Sequence, residues 1–79
     1  MTLNNLREIV ANILGVPPTE IHESSGPATF SQWDSVAHIN IILSVEAQYG
    51  VSFSPEEMVE VLSVEDIAAT LRRKGVRLE

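Results

Sequence analysis

The chain is predicted to be all-α, a four-helix bundle of three substantial helices and one short one, on three observations. Apolar residues recur at helical spacing in separate runs, each run is bounded by capping, proline or glycine signals, and no run alternates as a strand would. Only Val51-Ser52-Phe53 reads as extended, and it is too short to imply a sheet.

In the first helix, residues 3–14, Leu3, Leu6, Ile9, Val10, Ile13 and Leu14 form the apolar stripe, and Gly15 with Pro17-Pro18 supplies the stop. From Gly15 to Trp33 follows a non-periodic stretch rich in proline, glycine and hydroxyl residues. A loop this long in so small a chain is often functional. Ile21, Phe30 and Trp33 give it apolar anchors that dock it on the helices. The second helix is expected from Ser35, capped by Asp34, to about Tyr49 and is closed by Gly50. At 100° per residue, Ile41, Ile42, Val45 and Tyr49 fall within an arc of about 100°. Val36, Ile39, Leu43 and Ala47 fall on the opposite side. One stripe must be core, and the other is either further core beneath the loop or a surface for partners and cargo. Ser54-Pro55-Glu56-Glu57 combines a serine cap, proline at the first position and a capping-box Glu57, which starts a short helix over about 55–60. Ser63-Val64-Glu65-Asp66 starts the last helix in the same way, with Asp66 in place of the usual Glu or Gln. Ile67, Ala68 and Leu71 form its stripe, Arg72-Arg73-Lys74 complements its dipole, and Gly75 is its C-cap.

With 79 residues the chain is expected to form one domain, 1–79, burying about 60–65% of its unfolded surface. No apolar run approaches the roughly 20 residues of a membrane span. Met1-Thr2-Leu3 lacks the basic and apolar segments of a secretory signal, so a cytoplasmic location is expected. Eleven acidic against five basic residues give a net charge of −6, and most of the positive charge is bunched at Arg72-Arg73-Lys74 and Arg77. The acidic remainder argues against nucleic acid and for partners bearing basic patches, the plainer reading being solubility. Without cysteine there is no disulfide, thiolate metal site or cysteine nucleophile. With His22 and His38 as the only histidines, no metal site is expected.

The residues that carry chemistry lie where the long loop meets the second helix. Asp34 as N-cap leaves Ser35 at the first helical position, its hydroxyl beside backbone N–H groups that have no intrahelical partner, a setting that suits a phosphate. Ser35 also has a purely structural reading, a tolerated polar residue in a first turn. His38, three residues on, raises the possibility of a self-activated serine, but the Gly-x-Ser-x-Gly elbow is absent and a small bundle has few groups to complete a triad. His38 projects toward Ile41 and Ile42, as a partly buried residue closing the top of the core would; partner recognition is its alternative role.

Asp34-Ser35-Val36-Ala37-His38-Ile39 resembles the Asp-Ser-Leu motif of acyl carrier proteins. Ile39 and Ile42 within the helix, Glu46 near its end and Tyr49-Gly50-Val51 after it extend the resemblance, which covers roughly residues 3–73. The resemblance implies an acyl-carrier-type bundle with no catalysis of its own, carrying covalent 4′-phosphopantetheine on Ser35. It implies a phosphopantetheinyl transferase as partner, together with acyl-loading, ligase or transferase enzymes that bear basic patches, and a monomeric state. Asp34, Val36, Ile39, Leu43 and Glu46 around the second helix, and Glu56, Glu57 and Glu60 on the third, are then the residues such partners would read; a solvated face is the plainer reading of the three glutamates. Ala37, Asn40 and Ala47 stand uncharged, so the second helix is poor in acid, which argues against the general fatty-acid carrier and shifts recognition toward apolar contacts plus the third helix. Trp33 and the form Trp-Asp-Ser-Val-x-His look more like dedicated stand-alone carriers of specialised pathways. An aminoacyl, peptidyl or D-alanyl carrier, or from another class a helical adaptor without cofactor, stands as the alternative.

Overall fold

The computed structural model describes residues 3–78, with Leu3 described by its backbone alone, so the place of the Leu3 side chain in the first apolar stripe lies outside the described residues. Among the described residues four helices follow in order: α1 (Leu3–Leu14), α2 (Ser35–Tyr49), α3 (Pro55–Glu60) and α4 (Val64–Arg73). One 3₁₀ turn, Pro18–Glu20, interrupts the long loop, and no strand occurs among the described residues. This is the all-α, acyl-carrier-type bundle expected. α1 packs against both α2 and α4.

The core is assembled from one stripe of each long helix. Leu6, Val10 and Leu14 of α1, Ile41, Ile42, Val45 and Tyr49 of α2, and Val64, Ile67 and Leu71 of α4 are buried together, with Ile21 and Trp33 entering from the loop. The two stripes of α2 part company. Val45 is fully buried, whereas Val36, Ile39 and Leu43 are 68%, 48% and 54% exposed, so the second stripe faces solvent.

Capping fixes the helix ends. Ser54 and Glu57 form the reciprocal capping box at α3, Ser54 Oγ accepting from the Glu57 N–H and Glu57 Oε1 accepting from the Ser54 N–H at 2.9 Å. At α4, Ser63 Oγ accepts from the Asp66 N–H at 3.1 Å, but Asp66 reaches one residue further back than a capping box does and accepts from the Leu62 N–H at 3.0 Å. α2 ends at Gly50, whose φ of +67° is a conformation that other residues adopt only with strain. The C-cap residue of α4 is Lys74, with Gly75 one position beyond.

The long loop is tied down by backbone as well as by its apolar anchors. The carbonyls of Ser25 and Glu23 accept from the N–H groups of Val64 and Glu65, each at 2.9 Å, which satisfies the donors that the start of α4 would otherwise leave open. Gly26 lies so close to the α3–α4 connection that a Cβ there would overlap the carbonyl oxygen of Leu62.

The faces of α2 should respond differently to charge. Val45→Asp buries an unpaired carboxylate and should lower stability by several kcal/mol, a large part of the ~5–10 kcal/mol typical of a small chain. Leu43→Asp should keep a near-parental urea midpoint. Equal losses in urea unfolding would mean that both stripes are core.

Candidate functional site

Asp34 sets the geometry at the start of α2. Its extended backbone (φ −92°, ψ −173°) turns the chain into the helix, its Oδ1 accepts from the Ala37 N–H at 2.9 Å, and its carbonyl accepts from the His38 N–H at 2.9 Å. A cap of this kind contributes about 1 kcal/mol. The N–H groups of Ser35 and Val36 have no hydrogen bond within the described residues. The contrast with α4 is informative, because there loop carbonyls take the equivalent two donors. Ser35 is exposed, so an anion on its Oγ would meet two open donors and the positive end of a 15-residue helix.

Beside Ser35 runs a groove of about 540 Å³. Pro27 and Trp33 of the loop form one wall, Ser35, His38 and Ile39 of α2 the second, and Met58, Val59 and Leu62 at the end of α3 the third. Asp34 is its charged member, and its rim is apolar, with Val59 and Leu62 exposed.

Both nitrogens of His38 are engaged. The indole Nε1–H of Trp33 donates to Nδ1 at 2.9 Å, and Nε2 lies 2.7 Å from the Met58 carbonyl oxygen. An indole only donates and a carbonyl only accepts, so the partners dictate the neutral Nε2–H tautomer. The lone pair on Nδ1 is already taken by Trp33, which leaves none to receive a proton from Ser35. The ring is half-buried, as its position on the helical wheel implied.

The carboxylates divide into two groups. Glu56 and Glu60 are exposed on α3. Glu46 is half-buried and accepts from the Phe53 N–H through Oε2 at 2.7 Å, bracing the α2–α3 connection. Glu57 serves the capping box and also pairs with Lys74 Nζ at 2.9 Å, while the same ammonium lies 5.5 Å from the centre of the Phe53 ring. The Ser54 N–H first, and Lys74 second, hold the Glu57 carboxyl below its ordinary range. Among the described residues no three His, Asp or Glu side chains gather into a group able to hold a metal ion.

The structure therefore brings Asp34, Ser35 and Ile39 to one groove and sets Val36 and Leu43 on the adjoining face of α2. Trp33 as a wall, the Met58 carbonyl and the groove residues Pro27, Val59 and Leu62 were missed in the sequence. The buried Trp33 was the available signal, since an indole N–H taken from water needs an acceptor, and His38 is the polar ring within reach.

The family model of the phosphopantetheine attachment site matches residues 4–71. The chain belongs to this family. The match runs from α1 to Leu71 in α4 and so takes in the loop, the start of α2 and the groove. A domain of this family is the place where 4′-phosphopantetheine is covalently attached, and it works as a carrier that engages a phosphopantetheinyl transferase and biosynthetic enzymes. The residues of this carrier domain fit the group: an exposed hydroxyl, two open N–H donors for a phosphate and an apolar groove alongside. Among the described residues no helix is long and apolar enough to cross a membrane.

Glu57 makes the stability of the carrier domain depend on pH in a defined direction. Its folded-state value is depressed, so its contribution is fully present above the unfolded value near 4.5 and is lost as pH falls through the folded one. Glu57→Gln should accordingly show a shallower fall in urea midpoint than the parent as pH is lowered from neutrality through that range. Parallel pH profiles would show that Glu57 does not carry the effect.

Proposed function

We propose that this protein is an acyl carrier in which Ser35 receives the 4′-phosphopantetheine. The observation that supports the reading best is the exposed Ser35 hydroxyl at the first position of α2, beside two open N–H groups and at the head of an apolar groove. The chain, acting as a single domain over residues 1–79 and as a cytoplasmic monomer, delivers acyl intermediates to enzymes of fatty-acid, polyketide or other specialised biosynthesis. When bound, the group supplies a thiol on a flexible arm, where cargo is held as a thioester.

Ser35 Oγ would form the new bond to phosphorus as the pyrophosphate P–O bond of coenzyme A breaks and adenosine 3′,5′-bisphosphate leaves, and His38 does not take the hydroxyl proton, because both ring nitrogens are committed elsewhere. The base for that step belongs to the transferase. Asp34 holds the helix start in place, and the open N–H donors of Ser35 and Val36 would be available to hold a phosphodiester on Ser35. Partners read Val36, Ile39 and Leu43 by apolar contact, and Glu56 and Glu60 by charge. Each encounter with such a surface is brief and of small area.

Coexpression with a broad-specificity transferase, followed by intact-mass analysis, should show one added phosphopantetheinyl group on the parent and none on Ser35→Ala, whose urea midpoint should be unchanged. A persisting modification on Ser35→Ala would defeat the assignment, and an unmodified parent would favour a helical adaptor.

The double reversal Glu56→Lys/Glu60→Lys should slow transfer to a partner with a basic patch, and the defect should shrink as salt screens the charges. Glu57 is spared in this test because its carboxylate caps α3. Loading rates equal to the parent at low salt would mark these glutamates as a solvated face.

A further inference from the structure

His38 joins the three walls of the groove through one ring. It is rooted in α2, it accepts from Trp33 at the end of the loop, and it donates to the carbonyl of Met58 in the last turn of α3. α3 has only six residues, none of them buried, so it holds its place through its attachments and little through intrinsic helicity. At its start it is fixed by the capping box and the Glu57–Lys74 pair. At its end, the Met58 carbonyl is one of the orphan acceptors every helix leaves. The Leu62 N–H that would have reached it in a longer helix is turned to Asp66 instead. His38 takes that carbonyl.

We infer that His38 is a positioning residue of the attachment site: through its Nε2–H bond to Met58 it sets where α3 stands over Ser35, and thus the width of the groove presented to the transferase. The inference rests on Ser35 being the attached residue. His38 touches neither the reacting hydroxyl nor the incoming phosphate. Its effect passes through Met58 and Val59 of α3 and Leu62 just beyond it, which form that wall of the groove. The bond to Trp33 has the separate task of holding the tautomer, because an indole N–H on Nδ1 leaves Nε2 as the protonated nitrogen.

Two polar substitutions separate the two bonds. In His38→Gln the amide nitrogen falls where Nε2 stood and donates to Met58, with no acceptor for Trp33. In His38→Asn the amide oxygen falls where Nδ1 stood and accepts from Trp33, with no donor for Met58. His38→Phe keeps the ring and loses both. The readouts are kcat/KM for loading from coenzyme A, the urea midpoint, and hydrogen exchange of the indole N–H, which is unambiguous because Trp33 is the only tryptophan.

His38→Gln should load within about threefold of the parent while Trp33 loses exchange protection. His38→Asn should keep the protection and load on the order of tenfold more slowly, a loss of the size that ångström-scale misplacement produces. His38→Phe should be slow and unprotected. Parental loading by His38→Phe, or equal loading by the Gln and Asn variants, overturns the inference; if the Phe variant fails to fold, the Gln and Asn comparison decides alone. Ser35→Ala serves as the control, with parental indole protection and no loading. If Ser35→Ala still loads, the attachment reading fails, whatever the order of the His38 variants.

Discussion

Val64 and Glu65 present their N–H groups to the carbonyls of Ser25 and Glu23, and the arrangement around Ser35 depends on that junction. A segment of this length, if left free, would deliver Asp34 to no particular place, and α2 would start wherever its apolar stripe allowed. With the middle of the loop fastened to α4, Gly26 pressed against the Leu62 carbonyl, and Ile21 and Trp33 buried, the chain reaches Asp34 from a fixed direction. The same junction closes the start of α4. The start of α2 receives no such cover, and Ser35 stands there with its donors open.

The second constraint is the supply of apolar surface. α2 carries apolar side chains on two sides, and α1, α3 and α4 are long enough to cover one. Ile41, Ile42 and Val45 take the covered side, leaving Val36, Ile39 and Leu43 exposed, with Val59 and Leu62 across the groove. An apolar patch of this kind on a small surface is what an interaction site looks like. A stability-driven sequence would have placed charge at these positions, so their retention has to be explained by something outside the isolated fold.

Much of this was legible in the sequence, because it depends on local chemistry. The bounds of α1 and α3, the Asp34 cap, the Ser54–Glu57 box and the division of α2 into two stripes follow from side chains within a turn or two of one another. The contacts that escaped are of another kind. The tie between Glu23, Ser25 and the start of α4 is made by backbone atoms some forty positions apart and leaves no side-chain signature. The helical wheel gave the direction of His38 but not the Met58 carbonyl, which lies on a different helix. Glu46 read as a surface acid, and Glu57 showed its cap but not its pair with Lys74, because a sequence shows a charge without showing which distant group the carboxylate meets.

The inward turn of those two carboxylates changes how the charge of the molecule is distributed for recognition. Glu57 is matched by Lys74, Glu46 is spent on the Phe53 N–H and Asp34 on the Ala37 N–H, so beside the groove the acids left uncommitted among the described residues are Glu56 and Glu60 on α3. Arg72, Arg73 and Arg77 are exposed at and beyond the end of α4. Charge acts over about a Debye length and governs how often a partner arrives, whereas apolar contact acts at van der Waals range and governs how long it stays. On the proposed carrier reading the two are carried by different elements, α3 for arrival and the outer face of α2 for dwell. Partners that differ in their basic patches can then share one apolar footprint around Ser35, as a carrier that must be released by each enzyme in turn requires.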